Sequence, residues 1–455
     1  MSPSAPGRAN AIRRLDVNRP QTPRSVSVEP LERTHMFARM AAARSHVLRA
    51  TLGIASAGLA LTACGSNGRN AGVSASPVTA KASAAASSST AGSASSPIVA
   101  AAGQVGTRTQ VPWAQVGPGW FLVQSDSAAY TQAASTSSAP KGGRATLWLV
   151  SPVGARYVIT TWPGLGEGSA PMNLAGLVAW SGDGRHALLS EGLGVAIEMD
   201  LTTGARHQIS LPQLSLIGFT SPTGANLVAV QNVVAPDGTW TGQKLVRLDL
   251  NGRPQVQLAE VGRVSMRWLY SPDGATVYLN GPGGLRVASN AGGPIRDLAT
   301  VEAHANCAPV AWWDQHTILT SCTENSGSRL WLAPVGVGSA TPLTQLPGTE
   351  PVVDLGYDNA VRVGDAVFAE HLEACGMVTV HRQAPSGVGT RIAIPQSLSS
   401  HGLIGAVGGK IAVLSSTACG YPAWFGFYDP ATNSTQKIVP DVPGELGAWA
   451  ALAFP

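Results

Sequence analysis

The repeated unit of this chain is clearest in residues 267–274, RWLYSPDG, where an apolar strand runs directly into a tight turn. The same order of an apolar run and a turn is found in LVAWSGDG at 177–184, in IGFTSPTG at 217–224 and in VAWWDQ at 310–315. Pro presets φ at the start of a turn and Gly adopts positive φ, so both residues favour a turn at this point. The pattern predicts a strand, a tight turn and a second strand in each copy.

A second unit, a strand closed by a turn, alternates with the first and is present in seven copies. These copies start at residues 147 (LWLV), 197 (IEMD), 245 (LVRLD), 285 (LRV), 330 (LWL), 378 (VTV) and 425 (FGFYD). Repeats of about 40–50 residues that contain short strands are typical of β-propeller blades. We therefore predict an all-β fold, a single β-propeller of about seven four-stranded blades. The last strand, 448–454, is expected to pair with the first blade, because this pairing closes the ring and removes a free sheet edge.

Two of the turns carry a family resemblance. Trp180-Ser181-Gly182-Asp183-Gly184 and Tyr270-Ser271-Pro272-Asp273-Gly274 resemble the TolB-like, WD-repeat-like propeller repeat. The resemblance covers about 340 residues, although the fifth to seventh repeats depart from it at Asp314-Gln315, Gly364-Asp365 and Gly408-Gly409. It implies a β-propeller. The TolB family also has a separate N-terminal α/β domain, which the residues before these repeats do not suggest, so we carry over the fold and not the translocation function.

The N-terminal part of the chain has the pattern of an export signal. An apolar run from Ala50 to Ala63 follows Arg44 and Arg49, and at about fourteen residues it is shorter than the roughly 20 that span a bilayer. It fits the apolar region of a signal peptide behind a basic region. The run ends in Leu61-Thr62-Ala63-Cys64, which resembles the lipobox of bacterial lipoproteins. This resemblance implies cleavage before Cys64 and acyl groups on it, and thus lipid anchoring at the extracytoplasmic face of the cell membrane.

These patterns divide the chain into three segments. We predict a signal peptide over 1–63, whose long basic region makes Met36 or Met40 an alternative start. Residues 64–106 are predicted to be acylated Cys64 with a flexible Ser/Ala-rich tether, and 107–455 the propeller.

The charge of the chain is distributed unevenly over these segments. Residues 1–63 contain nine Arg and three acidic residues, so they contribute +6, and the remainder carries −2 although the whole chain is +4. Nucleic-acid binding depends on Lys and Arg that neutralise phosphates. We therefore expect no nucleic-acid partner. The expected partners are the membrane, through Cys64, and an envelope protein or small ligand, with the chain itself a monomer.

Four cysteines follow Cys64. Cys307 and Cys322 lie symmetrically about the turn at 314–315, and Cys375 and Cys419 occupy equivalent positions 44 residues apart. Disulfides persist in exported proteins, and we favour the pairs 307–322 and 375–419 among the three possible connectivities. A zinc site is the alternative, but the chain lacks a Cys-x-x-Cys pair and a nearby pair of His. No metal or other cofactor is predicted.

Motifs of known catalytic chemistry are missing from the sequence. It contains no Gly-x-Ser-x-Gly, no His-Glu-x-x-His and no Gly-rich phosphate loop ahead of a helix. The most concentrated polar cluster is Glu370-His371-Leu372-Glu373, beside Cys375. In a blade loop, His371 and Glu373 could bind a metal or act as acid and base; the alternative is an exposed loop braced by a disulfide.

Trp residues fall into two groups. Trp180, Trp268 and Trp312 stand at matching strand positions and are predicted to lie in the core between blades. Trp240 and Trp424 lie nearer to loops and are predicted to be contact residues.

Three functions are compatible with these observations. The first hypothesis is a non-catalytic, lipid-anchored scaffold that binds another envelope protein or a ligand through a propeller face. The second is an envelope hydrolase or lactonase-like enzyme with its site at the axial mouth of the propeller. The third is a glycan-binding module that uses exposed Trp side chains.

Overall fold

A computed structural model describes residues 103–126, 144–163, 176–190, 194–211, 214–261, 267–301, 306–324, 327–336, 338–346, 354–373, 377–397, 400–416, 422–439 and 448–455. The predictions for the signal peptide, Cys64, the tether up to residue 102 and the pair Cys375–Cys419 lie outside these residues. Within them, no helix is long and apolar enough to cross a membrane.

The described ranges are all-β: they contain 29 strands, two short 3₁₀ helices (Arg108–Gln110 and Trp113–Gln115) and no α-helix. The strands form consecutive antiparallel units. The first unit consists of β1 (Val105–Thr107), β2 (Phe121–Asp126), β3 (Arg144–Val150), β4 (Arg156–Pro163) and the C-terminal β29 (Ala448–Ala453). The second unit consists of β5 (Gly176–Trp180), β6 (His186–Ser190), β7 (Val195–Asp200) and β8 (Arg206–Ser210). The third consists of β9 (Leu214–Phe219), β10 (Leu227–Val234), β11 (Trp240–Leu248) and β12 (Pro254–Val261).

The remaining units repeat this order. The fourth unit consists of β13 (Trp268–Tyr270), β14 (Thr276–Pro282), β15 (Gly284–Ser289) and β16 (Arg296–Thr300), and the fifth of β17 (Asn306–Asp314), β18 (Thr317–Glu324), β19 (Gly327–Pro334) and β20 (Thr341–Pro342). The sixth unit consists of β21 (Asp354–Val363), β22 (Ala366–Glu373), β23 (Val378–Gln383) and β24 (Gly389–Arg391), and the seventh of β25 (Ser400–Val407), β26 (Lys410–Ser416), β27 (Pro422–Asp429) and β28 (Ser434–Val439). The second, third and seventh units are separate four-stranded sheets, whereas short pairings of β14 with β17 and of β19 with β21 join the fourth, fifth and sixth units into one sheet of twelve strands. A repeated four-stranded antiparallel unit is typical of a β-propeller.

The C-terminal strand completes the first unit, as predicted. β29 pairs antiparallel with β2, with Phe121 opposite Ala453, and the sheet order is β1-β4-β3-β2-β29. β1 pairs in parallel with β4 and starts at Val105, two residues before the predicted start of the domain. The composition of 64–106 favours a tether, but Val105 and Gly106 find a free edge of β4 to pair with, and this pairing extends the sheet by one strand.

The hydrophobic core is divided among the interfaces of the units. Seven clusters of buried side chains occur among the described residues, and each lies between two consecutive units. One of the seven joins the last unit to the first, through Phe425 and Phe427 of β27 and Phe121 of β2. Because successive side chains of a strand point to opposite faces, β29 contributes Ala451 to this cluster and Leu452 to the cluster between the first and second units.

The turns that follow the first strands of neighbouring units are in close contact. A Cβ atom on Gly182 would lie 1.7 Å from the carbonyl oxygen of Pro222 in the next turn, and one on Gly274 would lie 2.2 Å from the carbonyl oxygen of Ser221. Gly274 also has φ +71°, a value that side chains disfavour. Glycine at these positions therefore lets the turns of three units pack against one another.

The first cysteine pair is a disulfide, as predicted from its symmetry about the turn. Cys307 of β17 lies opposite Cys322 of β18 and is bonded to it. Both residues are buried in the cluster between the fourth and fifth units, together with Leu285 and Ile318. The bond thus covalently links two neighbouring strands of the fifth unit, both of which pack against the fourth unit.

Candidate functional site

The predicted pair His371 and Glu373 lies at the C-terminal end of β22, the second strand of the sixth unit. The two residues are two positions apart on a strand, so their side chains share one face of the sheet. The sequence suggested a loop here. The structure differs because β22 continues its pairing through Glu373, which lies opposite Asp354 of β21.

A second histidine, His381 of β23, joins this pair. In the β22–β23 ladder, His371 lies opposite Thr379 and Ala369 lies opposite His381, which places His381 diagonally next to His371 on the same face. The two imidazole rings are stacked, with centroids 4.4 Å apart and planes at 19°. His371, Glu373 and His381 bring one possible ligand atom each to within 4.8 Å of the others.

Hydrogen bonds orient His371 within this group. Its Nε2 lies 2.8 Å from Oδ1 of Asp354, and because a carboxylate only accepts, Nε2 is the donor. In the neutral imidazole, Nδ1 then carries the lone pair. That atom is buried without a hydrogen-bond partner and lies 3.8 Å from Oε1 of Glu373. His371 itself is only 9 % exposed, so this lone pair faces the interior of the group.

His381 is held from both ring nitrogens. The hydroxyl of Tyr357 lies 3.2 Å from Nδ1, and Oγ1 of Thr379 lies 3.2 Å from Nε2. The Thr379 hydroxyl also donates a 2.9 Å hydrogen bond to Oε1 of Glu373, which links His381 to that carboxylate through one side chain. Burial, together with the smaller effect of the neighbouring His371, lowers the pKa of His381 to about 4. His381 is therefore a neutral imidazole at neutral pH.

A glycine makes room for this arrangement. A Cβ atom on Gly389 would lie 2.3 Å from the hydroxyl of Tyr357 and 3.0 Å from Nδ1 of His381. Burial raises the pKa of Tyr357, so its hydroxyl stays protonated and can serve as donor or acceptor. The site thus combines two imidazoles, one carboxylate and a set of oriented polar neighbours. Such groups can bind a metal ion or transfer a proton.

Glu370 lies on the opposite face of β22 and belongs to a different contact. It is fully buried and its carboxylate accepts a hydrogen bond from the backbone N–H of Leu403 in the seventh unit. Asn359 donates from Nδ2 to the carbonyl of the same residue at 3.1 Å. Both backbone groups of Leu403 are thereby satisfied from the sixth unit, so Glu370 joins two units and is not part of the His371 group.

Trp240 begins β11 and is 38 % exposed, in agreement with its predicted position near a loop. It lies opposite Val234, which is 54 % exposed, at the end of the β10–β11 hairpin. Among the strands that the structure describes, residues 232–242 of this hairpin pair only with each other, since β9 reaches Gln231 and β12 reaches Gln243. The end of the hairpin therefore projects beyond its own unit.

Trp424 does not offer a contact surface, contrary to the prediction. It is 4 % exposed and packs in the cluster between the sixth and seventh units. Its Nε1 donates a 3.1 Å hydrogen bond to the carbonyl of Gln396. The nearby loop in the sequence suggested exposure, but the neighbouring unit covers the ring. Trp180 and Trp268 are buried in the core, as expected, and Trp312 is partly buried against it.

The sequence reasoning missed Asp354, Tyr357 and His381. A signal for His381 was present. Residues at equal distances from the centre of a hairpin face each other, as Cys307 and Cys322 do. In the hairpin that follows Glu373, this rule places residue 379 opposite His371. His381 then lies two residues further along β23, on the same face of the sheet. Asp354 and Tyr357 come from β21, whose register with β22 includes two irregular steps, and these steps are not readable from composition.

Comparisons with known proteins concern the fold. No family model and no curated protein sequence matches this chain. Among solved structures, it aligns with the β-propeller domain of the trilobed protease from Pyrococcus furiosus at 13 % identity and a TM-score of 0.41, over 65 % of this chain and 87 % of that chain. It aligns with TolB from Acinetobacter baumannii at 16 % identity and a TM-score of 0.37, over 60 % and 65 % of the two chains.

Peptidases are also among the similar structures. A Mycobacterium tuberculosis puromycin-hydrolyzing peptidase aligns at 15 % identity and a TM-score of 0.43, over 66 % of this chain and 52 % of that chain. The chain spans about half of an acylaminoacyl peptidase from Pyrococcus horikoshii, 48 % of its length, at 13 % identity and a TM-score of 0.42. These values carry no argument about activity. The propeller arrangement rests on the repeated four-stranded units and on the seven interfaces between them.

Proposed function

We propose that this chain is a lipid-anchored β-propeller of seven blades in the cell envelope, and that it binds another envelope protein through the projecting β10–β11 hairpin. Each four-stranded unit would be one blade. The clusters between consecutive units, with one between the seventh and the first, support a closed ring. The second hypothesis, an enzyme, and the third, a glycan-binding module, remain as alternatives with tests of their own.

The lipid anchor rests on the sequence around Cys64, and the disulfide Cys307–Cys322 supports export, because disulfides persist in oxidising compartments. We expect the mature chain to begin at Cys64, to carry acyl mass and to separate into detergent. The variant Cys64→Ala should lose the acyl mass and leave the membrane fraction. Intact-mass measurement of both proteins checks this. A wild-type mass without acyl groups, starting near Met1, would remove the anchor from the proposal.

The exposed hairpin end is the observation that carries the binding function. Large apolar side chains at the centre of protein interfaces supply most of the binding energy, and Trp is enriched among them. Trp240 and Val234 lie side by side. The turn that joins them is held by two backbone hydrogen bonds, from Ala235 N–H to the carbonyl of Thr239 at 2.8 Å and from Gly238 N–H to the carbonyl of Ala235 at 2.9 Å. A hairpin end that is ordered before binding loses less conformational entropy on association.

A photo-crosslinking residue at position 240 tests this proposal in the cells that produce the chain. We expect one discrete crosslinked envelope protein. With that protein purified, Trp240→Ala should weaken the complex at least about 30-fold, which corresponds to about 2 kcal/mol.

Leu250 provides the matched control, because it is 37 % exposed and lies in the other turn of β11. A crosslinker at 250 should give no discrete product, and Leu250→Ala should change affinity less than about 3-fold. Equal crosslinking at both positions, or an unchanged affinity of Trp240→Ala, would contradict the proposal. A loss of binding to purified cell-wall glycan in Trp240→Ala would favour the glycan-binding module instead.

The enzyme alternative has one specific observation in its favour. The buried His371 and the partly exposed Asp354 form an imidazole–carboxylate pair at 2.8 Å, an arrangement that orients a general base. If the chain turns over an ester, lactone or peptide, His371→Gln should abolish turnover, while a crosslinking residue at position 240 should still give the crosslinked product. Retained turnover in that variant would exclude this pair as the base.

A further inference from the structure

We propose that His371, Glu373 and His381 form a binding site for a divalent transition-metal ion, with Zn²⁺ the ion that suits these donors best. Two imidazole nitrogens and one carboxylate oxygen are a donor set typical of zinc and of its first-row neighbours, whereas Mg²⁺ and Ca²⁺ prefer oxygen ligands alone. This site is separate from the projecting hairpin, and the proposal does not depend on the function assigned to Trp240.

The geometry of the sheet brings the three donors together. His371 and Glu373 share a face of β22, and His381 lies diagonally across on β23, so no loop has to close for the three to meet. Their ligand atoms already lie within 4.8 Å of one another. Ligands of one tetrahedral zinc ion are about 3.3 Å apart, given bonds of about 2.0 Å. The two stacked rings would rotate apart to bring the donors to this spacing.

One donor atom has no other partner. Nδ1 of His371 is buried without a hydrogen bond, although buried polar atoms in folded proteins are nearly always paired. A metal ion on Nδ1 would satisfy this atom. The other nitrogen donates to Asp354, which is the carboxylate–histidine arrangement that orients a metal-binding imidazole and raises its basicity.

The neighbours of Glu373 and His381 can adapt to a cation. Nη1 of Arg391 lies 3.7 Å from Oε1 of Glu373, and the Arg391 side chain is 63 % exposed, so it can turn into solvent when a metal takes its place. His381 can bind through Nε2, which lies on the Glu373 side by way of Thr379. The ring hydrogen then resides on Nδ1, where the Tyr357 hydroxyl accepts it. Metal binding through Nε2 gives up the contact with Oγ1 of Thr379, whose hydroxyl keeps its hydrogen bond to Glu373.

Zinc and cobalt titrations of the purified full chain, without a histidine tag, test the site. We expect one Zn²⁺ per chain by calorimetry. Co²⁺ should give a tetrahedral absorption spectrum without the near-ultraviolet band of a thiolate ligand, which excludes Cys64, Cys375 and Cys419 as ligands. His371→Ala and His381→Ala should each weaken binding more than about 100-fold. Asp354→Asn should weaken it about 10–100-fold, as expected for an outer-shell partner.

His186 supplies the matched control. It lies 2.6 Å from Oε1 of Glu198 and 3.9 Å from Oδ2 of Asp183, but among the described residues it belongs to no group of three possible ligands as close as that of the proposed site. His186→Ala should leave affinity and stoichiometry unchanged. His371→Ala could lower the melting temperature of the metal-free chain, and its weaker binding would then have a second explanation. In that case Glu373→Gln, which keeps the size of the side chain, replaces it as the test and should weaken zinc binding. Absence of saturable binding, or binding that survives both His371→Ala and His381→Ala, would overturn the proposal.

Discussion

Gly182→Ala is expected to lower the free energy of unfolding by about 3 kcal/mol, at the upper end of the range for overpacked sites. The added Cβ atom would lie 1.7 Å from the carbonyl oxygen of Pro222, a backbone atom of the next unit. A flexible side chain could rotate away from such a contact, but a turn backbone cannot move without disturbing the interface between the second and third units. Chemical denaturation of the wild type and the variant measures the difference.

Gly336 provides the control for this experiment. It also lies after a strand, its φ is not in the left-handed region, and a Cβ atom there would meet nothing within 4 Å. Gly336→Ala should therefore change stability by no more than about 0.5 kcal/mol. If Gly182→Ala behaves like Gly336→Ala, the close packing of the turns is not present in solution.

At position 182, the residue that the repeat favours differs from the residue that the neighbouring turn allows. Pro222 and Pro272 occupy the position of Gly182 in the next two units, so the repeat alone recommends Gly182→Pro, and consensus substitutions commonly stabilise proteins. We expect the opposite here, because the Pro ring needs at least the space of the Ala methyl group beside the carbonyl of Pro222.

The second large effect is expected at the disulfide. Cys307→Ala/Cys322→Ala should lower the free energy of unfolding by about 3 kcal/mol, the value for a loop of 15 residues in the unfolded chain. The loss arises mainly because the unfolded chain regains the freedom that the crosslink removes. Both side chains are also buried between the fourth and fifth units, so Ala leaves a small cavity there. Equilibrium unfolding in urea measures the change.

A reductant gives the internal check on this value. Reductant would also break a bond between Cys375 and Cys419, so both proteins are measured in its presence, where the wild type and the double variant should have the same stability to within about 1 kcal/mol. Equal stability of the oxidised wild type and the double variant would show that the bond does not form in the purified protein.

Much of the fold was predictable because its signals are local. The turn residues after Trp180 and Tyr270, and the symmetry of Cys307 and Cys322 about a turn, involve residues fewer than twenty positions apart. The C-terminal strand was also predictable, because a strand without a unit of its own has to pair with a free edge. Its partner, β2, is the edge that the first unit leaves open.

The candidate site was only half predictable. His371 and Glu373 stand out as a polar pair in the sequence, yet their place on a strand depends on pairing with β21, and Tyr357 and Asp354 join them only through that pairing. The burial of Trp424 was not predictable for the same reason, because the neighbouring unit decides whether its ring is buried or exposed.

The sequence by itself therefore determined the all-β class, the repeat of strands and turns, and the pairing of Cys307 with Cys322, because each depends on near neighbours along the chain. The tertiary structure decided which surfaces meet: Gly182 against Pro222, Glu370 against Leu403, and His381 beside His371. These contacts depend on strand register and on the packing of one unit against the next. Both are set by the combined fit of many side chains, and a short segment of sequence does not contain that information.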